Sequence, residues 1–171
     1  MATLHFLGGK PGAGKSTLAR ELGRTLPAVV ICEDEWLETL GFQLRSLEDY
    51  RDAARRCGDV MATFVPELLR QGVSVVLDVP ANTVKARAWV RSLFESAGAD
   101  HLLHWIEGAD EACLANVRRR NEERPAGVYW GPVSDDVFHR VLPHIVPPAP
   151  EEGFNVVQRT VQSPAVGAAR P

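Results

Sequence analysis

The sequence predicts an α/β fold in which a parallel sheet is covered by helices on both faces. Three observations carry that prediction. Extended and helical segments alternate along the chain. The extended segments are continuous apolar runs, as in strands buried on both sides. A glycine-rich loop joins the first apolar run to the first helix.

Each element has its own signal. Thr3–Leu7 is apolar with Thr and Phe, a strand, and Gly8–Gly14 is the loop. Ser16–Leu26 carries Leu18, Leu22 and Leu26 four apart, a helix that Pro27 ends. Ala28–Cys32 is a second strand, followed at its carboxyl end by Glu33, Asp34 and Glu35. Leu47–Arg70 reads as a long helix with the apolar stripe Ala53, Cys57, Val60, Phe64 and Leu68, stopped at Gly72. Val73–Leu77 is a third strand ending in Asp78. Asn82 or Thr83 caps the next helix, which runs to Ala97 and turns Val90, Leu93, Phe94 and Ala97 inward. Leu102–Ile106 is a fourth strand, Asp110–Glu122 an arginine-dense helix, 124–131 a Gly/Pro loop, and Ser134–Leu142 a short helix. Phe154–Gln158 is the candidate fifth strand.

Size and composition fit this architecture. The chain has 171 residues, enough for one domain that buries about 70% of its unfolded surface. We place that domain at 1–160. The Ala/Gly/Pro-rich end leaves 161–171 as an expected disordered tail. With 45% apolar and 24% charged residues, the composition is that of an ordinary soluble globular protein. A net charge of −3 argues against a nucleic-acid coat. No apolar run approaches the roughly 18 residues of a membrane span, and 1–8 lacks the charged start of a secretory signal. The expected location is therefore cytoplasmic, without a membrane partner. Cys32, Cys57 and Cys113 are too few and scattered for a disulfide framework or a zinc site and read as small buried hydrophobes. Trp89 and Trp105 read as core, and Trp36 as core or pocket lining. The histidines show no metal spacing.

The chemistry concentrates at the carboxyl ends of the strands, where parallel sheets bind ligands. Gly9-Lys10-Pro11-Gly12-Ala13-Gly14-Lys15-Ser16 fits Gly-x-x-x-x-Gly-Lys-[Ser/Thr] between a strand and a helix. A chance match in a chain of this length arises on the order of once in a few hundred sequences. Its glycines let successive N–H groups turn toward a phosphate, and the helix N-terminus adds its dipole. Lys15 is expected on the β/γ-phosphates, Ser16 on Mg²⁺, and Thr17 near the α-phosphate. Gly9, Pro11, Gly12, Ala13 and Gly14 supply the cradle, and the implied cofactors are ATP and Mg²⁺. No Asn-Lys-x-Asp guanine reader, no acidic residue after Asp78 and no Ser-Gly-Gly-Gln signature is present. Those absences leave a small phosphotransferase rather than a GTPase, motor or transporter ATPase.

A phosphoryl acceptor needs a carboxylate to orient its hydroxyl and take its proton. Asp34 suits that role, although a solvated acidic loop or a helix cap explains it as well. Asp78 is placed to hold the metal's hydration shell or a lid arginine, with an Asx turn before Pro80 as the plainer explanation. Asn82 and Arg87 are candidate acceptor contacts. Arg118, Arg119, Arg120 and Arg124 close the arginine-dense helix. Arg120 and Arg124 share a face and are the candidates for transition-state charge, whereas at least two of the four read as surface charges. Gly127–Gly131 is a candidate lid tip.

With these residues in hand, the chain resembles the small P-loop kinases grouped around zeta toxins, chloramphenicol phosphotransferase and the kinase domain of polynucleotide kinase. It looks closest to a large bacterial set of ATP-binding proteins. The motifs carrying the resemblance are residues 8–19, 33–37 (Glu-Asp-Glu-Trp-Leu), 75–78 (Val-Val-Leu-Asp), 120–125 (Arg-Asn-Glu-Glu-Arg-Pro) and 147–155. It implies a three-layer P-loop NTPase fold of nucleoside-monophosphate-kinase type, with five parallel strands in the order 2-3-1-4-5. It also implies Asp34 as acceptor base and Arg120 and Arg124 near the lid. After the third strand, Val79-Pro80-Ala81-Asn82 replaces an aromatic-rich stretch, so the acceptor does not carry over. The expected activity is ATP- and Mg²⁺-dependent transfer of the γ-phosphate to a hydroxyl of a small molecule: an antibiotic, nucleoside, sugar or nucleotide-sugar. A 5′-hydroxyl polynucleotide kinase and a non-catalytic nucleotide switch are the alternatives. The expected assembly is a monomer or homodimer.

Overall fold

In a computed structural model, residues 1–161 are described, so the expected tail lies outside the described residues except for Val161. Val161 donates its N–H to Glu107 and packs on the core. The elements run β1 (Thr3–Gly9), α1 (Lys15–Thr25), β2 (Ala28–Cys32), α2 (Glu33–Thr39), α3 (Leu47–Arg70), β3 (Ser74–Pro80) and α4 (Val84–Ala97). They continue with β4 (Asp100–Glu107), α5 (Asp110–Glu123), α6 (Asp135–Val141) and β5 (Val156–Thr160). The sheet has five strands in the order β2-β3-β1-β4-β5, and every pairing is parallel. The fold class and strand order are those expected.

Two apolar clusters fill the faces. One joins Leu4 and Phe6 of β1 to α3 and α4 through Met61, Val65, Val90 and Leu93. The other joins Leu7, Val76 and Ile106 to α1, α5 and α6 through Leu22, Val117 and Phe138. All three cysteines are buried, as expected. Ser46, Thr83 and Ser134 cap α3, α4 and α6 with side-chain oxygens.

Several boundaries and faces differ from expectation. The carboxylates after β2 form the first turn of a helix, α2, instead of a loop. β3 runs through Asp78 to Pro80, and its pairing with β1 slips after Phe6–Leu77 so that Leu7 next faces Pro80. The slip leaves Asp78 and Val79 as a bulge beside the glycine-rich loop. β5 begins at Val156, two residues later than expected. α3 buries Ala53 and Cys57 but continues through Met61, Val65 and Leu69, leaving Val60 54% and Phe64 46% exposed. Both stripes have helical spacing. The helix packs on α2 at its start and on β3 and α4 further along, so its contact face turns with the partner. Trp105 is buried, whereas Trp89 and Trp36 only edge the core.

Arg87 is a correction with a clear cause. It is fully buried and does not reach an acceptor. Its Nε and Nη2 donate to Glu152 at 2.7 and 2.6 Å, and its Nη1 donates to the carbonyls of Val146 and Ala81. One guanidinium thus ties α4 and the turn after β3 to the strap 146–152. Removing one partner of a buried ion pair leaves an uncompensated charge, at a cost of about 3–5 kcal/mol. Glu152→Ala is expected to lose about that much stability in urea unfolding followed by circular dichroism.

The sheet also buries a histidine pair. His104 lies beside Leu7 in the sheet and stacks on His5, with Nε2 3.2 Å from His5 Nδ1. Burial, then the His5 charge, pushes His104 from 6.5 down to about 4. The folded pKa is lower than the unfolded one, so this stability is complete above pH 6.5 and is lost as pH falls toward about 4. At most about 3 kcal/mol is involved. Urea midpoints at pH 7 and 4.5 are expected to differ more for the wild type than for His104→Gln.

Candidate active site

The site begins with a backbone that only glycine permits. A Cβ on Gly9 would sit 2.4 Å from the Ile106 carbonyl oxygen, and one on Gly12 2.1 Å from that of Cys113. Gly12 also has φ +76°. The loop therefore lies directly on β4 and α5. Gly14 ends it as a left-handed N-cap with no side-chain cap, which leaves the first N–H groups of α1 for an incoming anion. Pro11 and Ala13 complete the turn, in which Ala13 N–H donates to the Lys10 carbonyl, and Thr17 is exposed one residue into the helix after Ser16.

Three side chains hold this loop through contacts the sequence did not disclose. Asn82 Oδ1 accepts from Gly9 N–H at 2.8 Å. Asn116 Nδ2 donates to the Gly12 carbonyl at 3.1 Å. Lys10 Nζ donates to the Gly108 carbonyl at 2.8 Å and pairs with Asp110. Thr83 and not Asn82 caps α4, and the Asn82 side-chain oxygen is taken by Gly9. Its backbone carbonyl also receives Val146 N–H, which joins the loop to the strap.

Lys15 Nζ donates to the carbonyls of Gly9 and Lys10 at 2.7 and 2.9 Å. Burial pushes its pKa down to about 8, opposed chiefly by the nearby Asp78 carboxylate. Asp78 is raised by burial and held back by the Ser16 hydroxyl and by Lys15. Ser16 and Asp78 thus place a hydroxyl and a carboxylate oxygen together, the hard donors a divalent cation takes.

Asp34 sits in the first turn of α2, at the end of β2. Burial of its carboxyl, then the charge of Asp78, raises its pKa; Arg120 and Lys15 oppose the rise. Glu33 turns the other way. Tyr50 Oη donates to Glu33 Oε2 at 3.4 Å, and burial, then the Asp34 charge, pushes Glu33 up to about 7. Arg120 comes from α5, where burial lowers its pKa against the pull of Asp34. Its Nε is buried without a partner among the described residues, as is Trp130 Nε1 in the loop beyond.

Lys15 and Asp34 are thus each within reach of the charges of Asp78 and Arg120 and of one another. Arg124 does not join them. It is the left-handed C-cap of α5, exposed, with its guanidinium 5.9 Å from the Tyr129 ring centre. Arg118 pairs with Asp135 and Arg119 with Asn116, the surface roles expected for two of the four arginines.

This loop on this sheet defines a P-loop nucleotide-binding fold of the kinase type. The chain belongs to the family described as AAA domain, which matches residues 4–130. Similar solved structures include a provisionally assigned kinase from Chloroflexus aurantiacus, at 17% identity and TM-score 0.72, covering 93% of this chain and 88% of that one. A gluconokinase from Sinorhizobium meliloti aligns at 16% identity and TM-score 0.58, over 95% of this chain and 84% of that one. A chain of the Pnkp1/Rnl/Hen1 RNA repair complex aligns at 19% identity and TM-score 0.66, covering 99% of this chain and 52% of that one. At these identities the likeness is one of fold. The sequence matches none of the curated proteins. Among the described residues, no helix is long and apolar enough to cross a membrane.

A lysine at about 8 in the free protein holds its charge below that pH and loses it above. The affinity of the free protein for ATP is therefore expected to fall as pH rises from 7 to 9. Equilibrium titration with a fluorescent ATP analogue measures this. Arg in place of Lys15 would remove that pH dependence even where it weakens binding.

Proposed function

We propose that the protein is a kinase that moves the γ-phosphoryl group of ATP to a hydroxyl of a small molecule. The observation that carries this reading is the placement of Asp34. It stands in the first turn of α2 at the carboxyl end of β2, open to solvent, and it feels the charges of Asp78, Arg120 and Lys15. A nucleotide switch has no need of a carboxylate in that position.

The chain's residues would divide the work as follows. The backbone of 9–14 and the first turn of α1 hold the phosphates, and Lys15 leaves the Gly9 and Lys10 carbonyls to pair with the β/γ-oxygens. Ser16 and Asp78 fit a Mg²⁺ ion, which when bound supplies charge neutralisation between the β- and γ-phosphates. Arg120, with an unpaired Nε donor, reaches the migrating group. Asp34 orients the acceptor hydroxyl. As the new O–P bond forms, the γ-phosphorus separates from the β–γ bridging oxygen, ADP leaves, and the hydroxyl proton passes to Asp34. Arg124, exposed beside Tyr129, has a supporting place in the lid.

The test is transfer of label from γ-labelled ATP, with Mg²⁺, into a desalted small-molecule extract and, separately, into 5′-hydroxyl oligonucleotides. Label is expected in a small organic product. Asp34→Asn is expected to lower kcat by at least about 100-fold with KM for ATP within about twofold. Lys15→Ala is expected to abolish transfer. Wild-type rates for Asp34→Asn would overturn the role given to Asp34. Label in oligonucleotides alone would favour the polynucleotide reading.

A further inference from the structure

Beside β2 lies a cavity of about 340 Å³ that the phosphate machinery does not fill. Arg20 and Arg24 of α1 line one wall, Cys32 and Glu35 line another, Asp78 lies at its inner side, and Gly127 closes it. Three properties indicate what it would take.

The first is position. Asp78 contacts Ser16 and acts electrostatically on both Lys15 and Asp34, so a molecule in the cavity has one end at the phosphoryl-transfer centre. The second is size. The volume is at the small end of the about 300–1,000 Å³ range of ligand sites, suited to a small metabolite. The third is charge. Arg20 Nη1 donates to the Ala126 carbonyl at 2.8 Å, and Arg20 lines the cavity. Arg24 makes no ion pair among the described residues, and neither does Glu35. Asp78 already answers Lys15 and Ser16. Two guanidinium groups and two carboxylates thus line the cavity, and with Asp78 given to Ser16 and the Mg²⁺ of the kinase reading, the two arginines face Glu35 alone. Guanidinium groups recognise carboxylate and phosphate oxygens, while a carboxylate accepts from hydroxyls.

The closing residue fits the same picture. A Cβ on Gly127 would lie 1.2 Å from Arg20 Nη2, and its φ is +71°. The positive φ favours glycine here, and the loop beyond α5 lies against the Arg20 guanidinium.

We propose that this cavity receives the acceptor, and that the acceptor is an anionic polyol. It is a hydroxylated metabolite of about sugar size, bearing a carboxylate or a phosphate monoester held by Arg20 and Arg24. The proposal rests on the kinase reading of the same site and narrows it. Glu35 accepts from the hydroxyls that do not react, and the reacting hydroxyl is directed past Asp78 to Asp34.

The experiment divides the small-molecule extract on an anion-exchange resin before the label-transfer assay. Acceptor activity is expected in the salt-eluted fraction and not in the flow-through. Arg24→Gln is expected to raise KM for that acceptor at least tenfold, with KM for ATP within twofold. Phosphatase treatment of the eluted fraction, with the phosphatase then removed, separates the two anions. Loss of acceptor activity identifies a phosphate monoester, and survival a carboxylate. Acceptor activity in the flow-through, or an unchanged KM in Arg24→Gln, overturns this proposal and leaves the kinase reading standing. Transfer in neither fraction overturns the kinase reading instead. The cavity is then judged by thermal unfolding with Mg²⁺ and a non-hydrolysable ATP analogue. Stabilisation by D-gluconate or D-glucose 6-phosphate but not by D-glucose supports an anion site. Equal response to all three overturns it.

Discussion

The site depends on how closely the backbone of residues 8–14 lies against the sheet and α5. Gly8 sits under the Trp105 ring, Gly9 on the Ile106 carbonyl, and Gly12 on the Cys113 carbonyl. Each spacing is too short for a Cβ. With the loop packed this closely and tied by Asn82, Asn116 and Lys10, Gly14 and the first turn of α1 stand at the carboxyl edge of β1. Lys15 is then forced to point back over Gly9 and Lys10. The same packing desolvates Lys15 and Asp78, which moves both of their pKa values toward neutral charge. Loop geometry and site electrostatics thus have a single cause.

A second layer of polar contacts holds that layer in place. Asn82 grips Gly9 through its side chain and Val146 through its carbonyl, and Arg87 binds Val146, Ala81 and Glu152 from below. A buried arginine is tolerated because its N–H groups find carbonyl and carboxylate oxygens, two of them on Glu152. The strap 146–152 carries no catalytic group, yet it sets where the turn after β3 stands. That turn sets Gly9. Charge buried far from the chemistry therefore bears on the position of the phosphate cradle.

The sheet, its strand order and the phosphate loop were legible in the sequence because each is written in local terms: apolar runs, helical spacing and one motif with fixed glycines. Asp34 and Asp78 were legible as strand-end carboxylates. What was not legible came from long-range contacts. Nothing in residues 80–83 says that Asn82 reaches Gly9, more than seventy residues away, and nothing in 84–97 says that Arg87 points inward. The arginine near the acceptor base could not be chosen between Arg120 and Arg124, four apart on one face. The choice falls to the left-handed turn at Arg124, which ends α5 and takes that side chain out toward Tyr129. On α3 the stripe went astray at Val60 because the helix changes partners along its length, which spacing alone does not encode.

The charges of the site set three carboxylates against a lysine and an arginine in a small space. Asp34, Asp78 and Glu33 are all raised, and Lys15 and Arg120 are both lowered, with burial the leading cause in every case. Glu33, Asp78, Lys15 and Arg120 are half-buried and Asp34 is exposed, so their neighbours answer these charges only in part. Groups in that condition gain most from a ligand that brings the opposite charge. Lys15 and Arg120 gain from a phosphate anion; Asp78 gains from a cation and from the Ser16 hydroxyl. Asp34 lies within reach of the Arg120 charge. Its basicity is still raised by burial, while Glu33 is turned aside onto Tyr50. The three carboxylates thus differ in their partners: Glu33 meets Tyr50, Asp78 on β3 meets Ser16 and Lys15, and Asp34 on the first turn of α2 meets the charges of Asp78, Arg120 and Lys15.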